Sequence, residues 1–151
     1  MVIVVLIVVA NDSGQTGLEQ QAIDPNAPLV GYPPCDGLAP DRVEPRPEGA
    51  ILPRSARVTR VRERGPTLRV GGYVPLRPVA LRMHYESRAN LEVLQIEDEI
   101  IEAEALLTDG EFRTYIKATA VCDSGSSFSA IVAPELAASQ VPTPSGGPSP
   151  G

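Results

Sequence analysis

The residues with the clearest catalytic potential lie in the segment 118–137, ATAVCDSGSSFSAIVAPELA, where an apolar run leads into Asp123-Ser124-Gly125 and a second apolar run follows. A catalytic carboxylate at Asp123 would need a second carboxylate beside it. Two adjacent carboxyl groups cannot both ionise cheaply, so one acts as an acid and the other as a base on bound water. Gly125 permits a tight loop, and the Ser124 hydroxyl can fasten it. Asp, Ser and Gly also favour ordinary turns, so the sequence equally allows a plain turn.

Other catalytic and metal-binding groups are poorly arranged in the sequence. A nucleophilic Ser124 would need a histidine base, and the only histidine, His84, stands at no diagnostic spacing from it. The cysteines Cys35 and Cys122 are too far apart in sequence for a zinc motif. The acidic cluster at 97–104 lacks the spacing of a calcium loop. We therefore expect no metal and no cofactor.

Hydrophobic patterning predicts the elements that must position Asp123. Residues 101–107 and 112–122 alternate between apolar and polar side chains on either side of Thr108-Asp109-Gly110, which predicts a β-hairpin. Asp123 follows the second strand of this hairpin. The other predicted elements are strands at 57–63, 67–74, 91–96 and 128–132, a turn at 64–66, a short helix at 78–88 and a helical turn at 134–138.

The segment 118–137 resembles the active-site loop of retropepsin-like aspartic peptidases, the kind encoded by retroviruses and retrotransposons. Asp123 matches the catalytic aspartate of that family, Ser124 the loop-fastening hydroxyl and Gly125 the glycine. Further matches are Ser126 and Ser127 at the small and hydroxyl positions, Ile131 and Val132 at the apolar pair, and Glu135-Leu136-Ala137 at the trailing helical turn.

The resemblance implies a mainly β fold with a partial acid-protease-like β-barrel, made of a hairpin, the Asp-Ser-Gly loop, a strand and a short helix. It also implies an endopeptidase of a retroelement polyprotein, which would hydrolyse a polypeptide substrate without a cofactor. One chain supplies one such Asp, so a homodimer would have to bring two copies of Asp123 together. The family also needs a flap hairpin and a later apolar-apolar-Gly element, and neither follows Val132. We therefore expect little or no activity from this chain alone.

The composition predicts a compact region flanked by loose chain. The 151 residues include 16 Pro and 13 Gly but no Trp, and Pro is concentrated near both ends. Such segments cannot bury enough apolar surface to offset the entropy of ordering them. The expected divisions are an apolar start and poorly structured Pro-rich leader at 1–53, an Arg-rich region at 54–90, a partial retropepsin-like region at 91–141 and a disordered tail at 142–151.

The charged residues are divided between two blocks, with Arg concentrated at 54–88 and Asp and Glu at 92–111. The formal net charge of −6 argues against a dedicated nucleic-acid binder, so nucleic acid is not expected as a partner of the peptidase-like part. We expect the blocks to face water or each other as neighbouring strands. The alternative is a stripe of Arg60, Arg62 and Arg64 on one strand face, in contact with phosphate.

The N-terminal run 1–10, MVIVVLIVVA, is unbroken apolar sequence. As a helix it would span about 15 Å, which is too short for a stable membrane crossing. It is therefore either the remnant of a signal peptide or a buried strand. Cys122 also lies in an apolar run, which favours a buried free thiol, although a secreted protein could form a Cys35–Cys122 disulfide.

These features support an alternative function, a non-enzymatic, secreted or membrane-anchored, small β-rich binding domain. It would use 1–10 as a signal, Cys35–Cys122 as its disulfide and Asp123-Ser124-Gly125-Ser126 as a hairpin turn. A retroelement peptidase would be intracellular, whereas the binding domain would be extracytoplasmic. The sequence leaves both hypotheses, and the location of the protein, open.

Overall fold

The computed structural model describes residues 24–145, and this part of the chain is mainly β, as the sequence predicts. The run 1–10, predicted as a signal remnant or a strand, lies outside the described residues, as does most of the predicted tail at 142–151. The regular elements are strands β1 (Arg57–Arg64) and β2 (Thr67–Val74), helix α1 (Pro78–Glu86), strands β3 (Glu92–Asp98), β4 (Glu102–Thr108), β5 (Phe112–Cys122) and β6 (Gly125–Pro134), and a 3₁₀ helix (Glu135–Gln140).

The six strands form one open antiparallel sheet in the order β1-β2-β6-β5-β4-β3. Strands β3 to β6 follow one another as neighbours, and the β1–β2 hairpin extends the sheet on the far side of β6. The regions 54–90 and 91–141 thus contribute to the same sheet. Strand β6 starts at Gly125 rather than at residue 128, because its pairing with β5 continues up to the turn.

Glycine and aspartate form the two predicted turns at β1–β2 and β4–β5. Gly65 has φ +59° and Gly110 has φ +94°, backbone conformations that glycine adopts without the steric cost other residues meet. The Asp109 carboxylate accepts the N–H groups of Glu111 at 2.9 Å and Phe112 at 2.8 Å. This is the local Asx bonding that makes Asp-Gly a strong turn signal in the sequence.

The main core lies between the inner face of the sheet, helix α1 and the leader. The sheet contributes the buried side chains of Ile116 and Phe128. Helix α1 begins with Pro78 at its first turn, where the missing N–H has no cost, and it buries Leu81 and Tyr85 against the sheet. The predicted short helix is therefore confirmed, and its role is to cover the inner face.

The described part of the leader, residues 24–53, contains no helix or strand, in agreement with its Pro-rich sequence. Its contacts nevertheless show that it is not loose chain. Leu52 is buried in the core, and the N–H of Ile51 donates to the Thr114 hydroxyl at 3.1 Å. The Tyr85 hydroxyl donates to the carbonyl of Ile51 at 2.9 Å. The leader thus completes the core that the strands and α1 leave open.

The two charged blocks lie at opposite edges of the sheet. Five arginines of the first block, Arg57, Arg60, Arg62, Arg64 and Arg69, are on β1 and β2, whereas the acidic block is on β3, β4 and the turns beside them. The blocks do not meet as neighbouring strands, because β6 and β5 separate β2 from β4. Single contacts do join them, as where Arg82 on α1 pairs with Asp98 on β3 at 2.8 Å.

Candidate functional site

The Asp123 segment is a tight hairpin turn at one end of the sheet. Asp123 and Ser124 are the two residues between β5 and β6, and Cys122 pairs with Gly125 across the turn. The side chain of Asp123 is half-buried and that of Ser124 is exposed. The Ser124 hydroxyl donates to Asp123 Oδ1 at 3.1 Å. The carboxylate therefore lies at the tip of the hairpin, where a hydroxyl fastens it.

A disulfide between Cys35 and Cys122 joins this turn to the leader. The prediction of a buried free thiol at Cys122 is therefore wrong. The leader crosses the end of the hairpin, where Asp123 N–H donates to the carbonyl of Pro33 at 2.8 Å and Leu29 N–H donates to the carbonyl of Asp123 at 2.7 Å. These bonds hold Cys35 beside Cys122. They link residues far apart in the chain, so the local pattern around each cysteine gives no sign of them.

Polar groups surround the disulfide. Asp123 Oδ1 lies 3.5 Å from Cys35 Sγ, which has no proton to donate because it is part of the disulfide. Ser124 Oγ lies 3.3 Å from the same sulfur, and the Tyr73 hydroxyl lies 3.8 Å from Cys122 Sγ. The Tyr73 hydroxyl can donate to sulfur, which is a weak acceptor, whereas the one proton of the Ser124 hydroxyl is donated to Asp123. The Asp123 carboxylate is thus placed against a disulfide within its own chain.

The other predicted loop residues, Gly125, Ser126 and Ser127, form the start of β6. A Cβ on Gly125 would overlap the Tyr73 hydroxyl and lie 2.7 Å from a sulfur of the disulfide. Ser126 is buried, and its hydroxyl donates to the carbonyl of Leu76 at 2.7 Å. Ser127 is exposed. Gly125 therefore allows close packing and Ser126 satisfies a backbone acceptor, and both roles are structural.

The catalytic pair that the resemblance implies would need a second copy of the chain. Among residues 24–145, no hydrogen bond or ion pair links Asp123 to another charged side chain. Within the same range, no group of three or more His, Cys, Asp or Glu side chains is placed to hold a metal ion. No helix in this part of the chain combines the length and apolar character of a membrane span.

A second candidate site is a groove on the outer face of the sheet, which we call the arginine groove. Its volume is about 290 Å³. Arg62 on β1 and Arg69 on β2 stand directly opposite each other. Arg64, the third member of the predicted stripe, does not line the groove. The lining residues that bear on its chemistry are Arg60, Arg62, Arg69, Tyr115, Ser129 and Ile131.

Sequence reasoning missed Arg69 as the partner of Arg60 and Arg62. Alternation along one strand shows which side chains share a face, but it does not show which strand lies beside it. The predicted turn at 64–66 could have supplied this information, because a short turn fixes the register of its hairpin and places Arg62 opposite Arg69.

A buried acid, Glu104, lies towards the acidic edge of the sheet and is 5% exposed. It accepts hydrogen bonds from the Tyr115 hydroxyl at 3.0 Å and the Ser145 hydroxyl at 3.1 Å, and it pairs with Lys117 Nζ at 3.4 Å. Burial alone would raise the pKa of Glu104, but these donors and the Ser145 N–H together hold that pKa below its ordinary value. Burial, and then the neighbouring Glu104, raise the pKa of Tyr115. Tyr115 thus connects the arginine groove to this acidic network.

No protein-family model, curated protein or solved structure matches the chain.

Proposed function

We propose that the protein is a non-enzymatic, secreted or membrane-anchored binding domain whose sheet is held by the Cys35–Cys122 disulfide. This disulfide is the single observation that carries the proposal. Disulfides persist in oxidising compartments outside the cytoplasm and are rare inside it, where thiols are kept reduced. The two cysteines are 87 residues apart in sequence. In the chain-entropy view, closing so long a loop contributes about 4–5 kcal/mol to stability.

The binding-domain proposal gives the Asp123 turn a structural role. The turn bonds to the leader through both backbone groups of Asp123 and through the adjacent disulfide, so it fixes one end of the sheet. Helix α1 and the leader cover the inner face, and the 3₁₀ helix and Val141 cover the outer face around Leu106 and Ala133. The arginine groove is a concave surface open to a ligand, on strands that hold it rigidly.

A thiol titration of protein purified from the secretory pathway without reductant tests this proposal. In denaturant we expect no reactive thiol before reduction and two after reduction, because Cys35 and Cys122 are the only cysteines. A Cys35→Ser/Cys122→Ser variant, titrated in parallel, gives the background. Two reactive thiols in denaturant before any reduction would overturn the proposal.

The aspartic-peptidase function is the second candidate, and the position of Asp123 favours it. Its carboxylate lies at the tip of a hairpin beside the Ser124 hydroxyl, in the order strand, Asp-Ser-Gly, strand that the resemblance requires. In this proposal the tips of two chains meet in a homodimer and complete an acid-protease-like barrel. The two Asp123 carboxylates then share one proton, and the ionised one takes a proton from water that attacks the peptide bond of a polypeptide substrate.

Incubation with an unstructured polypeptide at mildly acidic pH, followed by mass spectrometry, tests the second candidate. The peptidase function predicts cleavage that Asp123→Asn abolishes, because an amide cannot act as the base. Asp41→Asn, which changes an exposed aspartate in the leader, is the matched control and should leave cleavage intact. Equal cleavage by the unaltered protein and by Asp123→Asn would exclude Asp123 as a catalyst.

A further inference from the structure

The arginines of the arginine groove carry positive charge that no acidic side chain among residues 24–145 neutralises. Arg60, Arg62 and Arg69 are exposed, and within residues 24–145 their guanidinium groups form no ion pair with an acidic side chain. Arg113 on β5 shows the contrast, since it pairs with Glu135 at 3.0 Å. The groove thus concentrates three unpaired guanidinium groups in a protein whose formal net charge is −6.

The cross-strand pair at the centre of the groove is unfavourable by itself. Arg62 and Arg69 are direct neighbours on β1 and β2, and like charges at such positions repel. The acidic residues of β3 and β4 lie across β5 and β6, and Lys117 on β5 is already paired with Glu102 at 3.0 Å. An anion between the two guanidinium groups would remove the repulsion and form charge-assisted hydrogen bonds with both.

The floor of the groove is partly apolar. Ile131 and Tyr115 are half-buried cross-strand neighbours, and Ser129 presents an exposed hydroxyl beside them. Gly71 has no side chain, which lets the Arg60 guanidinium lie over the sheet, since a Cβ on Gly71 would come within 2.8 Å of Arg60 Nη2. An apolar floor with a few placed polar groups suits a ring with an apolar face and anionic substituents.

We propose that the arginine groove binds an acidic polysaccharide through its sulfate or phosphate groups. The proposal rests on the binding-domain function above and names its ligand class. Guanidinium groups bind such oxyanions with two parallel hydrogen bonds, and the apolar face of a sugar ring packs on Ile131 and Tyr115. The groove volume of about 290 Å³ admits a short stretch of polymer. The acidic edge across the sheet repels a nucleic-acid duplex, which is too stiff to turn away from it.

Isothermal titration calorimetry with four probes tests the ligand class. The probes are a heparin-derived oligosaccharide, its chemically desulfated form, a short polyphosphate and a DNA duplex. We expect the sulfated or the phosphorylated probe to bind at low ionic strength and to weaken as salt is added, because its counterions are released on binding. The desulfated sugar should not bind. Binding of the polyphosphate without binding of the heparin-derived oligosaccharide would overturn the polysaccharide proposal, because polyphosphate has no sugar ring.

Two matched double variants separate the groove from general charge. Arg62→Gln/Arg69→Gln should weaken binding by about tenfold or more, since each lost guanidinium removes charge-assisted bonds. Arg42→Gln/Arg54→Gln removes the same net charge from exposed arginines outside the groove and should change the affinity by less than about twofold. Equal losses in the two variants would overturn the proposal, because general charge would then explain the binding.

Chemical-shift mapping on the unaltered protein gives a readout that needs no variant. Backbone amides of Gly71 and Ser129 should shift on addition of the bound probe, whereas those of β3 should not. Shifts confined to other surfaces, no binding by either anionic probe, or tighter binding of DNA would overturn the polysaccharide proposal. Any of these outcomes removes the ligand class. If the thiol titration still finds the disulfide intact, the binding-domain function stands without it.

Discussion

At the scale of single residues, Glu104 shows how a position that alternation marks as solvent-facing becomes buried. It alternates with Ala103 and Ala105 along β4, which predicts an exposed acid. In the structure, Tyr115 and Ser145 close over it and donate hydrogen bonds to its carboxylate. Burying a charge is costly unless donors satisfy it, so these contacts decide how the acid affects stability.

Glu104→Gln tests this at the residue scale. The pKa of Glu104 in the folded protein is below its ordinary value of 4.5, so near that pH the unfolded chain binds more protons than the folded one. The stability that Glu104 provides is therefore complete above about pH 4.5 and is lost as the pH falls through the folded-state pKa. Glu104→Gln should lower the free energy of unfolding at neutral pH by about 1–3 kcal/mol, because buried donors lose a charged acceptor. The free energy of unfolding of Glu104→Gln should also fall less than that of the unaltered protein as the pH is lowered below about 4.5.

Urea unfolding over a series of pH values measures both effects of Glu104→Gln. Glu92→Gln, at an exposed position on β3, is the control, and it should unfold like the unaltered protein at neutral pH. An unchanged acid dependence in Glu104→Gln would show that this carboxyl group is not the one stabilised by its donors.

At the scale of elements, the β5–β6 hairpin shows what the sequence can and cannot predict. The alternation in 112–122 and the turn chemistry of Asp-Ser-Gly are local, and they predicted β5 and the turn correctly. Two other features are not local: the hydrogen bonds from the leader to Asp123 and the pairing of Cys35 with Cys122. They join residues distant in the sequence, so no periodic pattern of residues predicts them. For the same reason the sequence identified Arg60 and Arg62 but not the groove that Arg69 completes.

Two strand glycines provide an element-scale prediction about the clamped end of the hairpin. A Cβ on Gly125 would collide with the Tyr73 hydroxyl and the disulfide, which are held by the leader and the sheet. We expect Gly125→Ala to lower the free energy of unfolding by about 1–3 kcal/mol, the usual cost of overpacking. Gly71→Ala is the matched control, because its Cβ meets only the flexible end of Arg60. Guanidinium chloride unfolding compares the two, and equal losses would show that Tyr73 and the disulfide can yield.

At the scale of the whole molecule, the leader and the sheet form one folding unit. The strands and α1 correspond closely to the elements that the sequence predicts, yet they do not close a core by themselves. Leu29, Ile51 and Leu52 are 4%, 4% and 1% exposed, and all three come from the leader. A Pro-rich composition correctly predicted the absence of helix and strand there, but it does not reveal how many of its few apolar residues are buried against the rest of the chain.

Removal of the leader should therefore unfold a chain that keeps every helix and strand found among residues 24–145. The fragment 54–151 lacks the leader's three buried aliphatic side chains, each contributing about 1.5–3 kcal/mol, and the disulfide, contributing about 4–5 kcal/mol. Their sum is comparable to the net stability of a typical domain, about 5–15 kcal/mol. Scanning calorimetry should show a cooperative transition for 24–151 and none for 54–151. The variant Cys35→Ser/Cys122→Ser within 24–151 should still show a cooperative transition, but at a lower temperature than 24–151, because it loses the disulfide and retains the buried leader. A cooperative transition of 54–151 at the temperature of 24–151 would contradict the single folding unit.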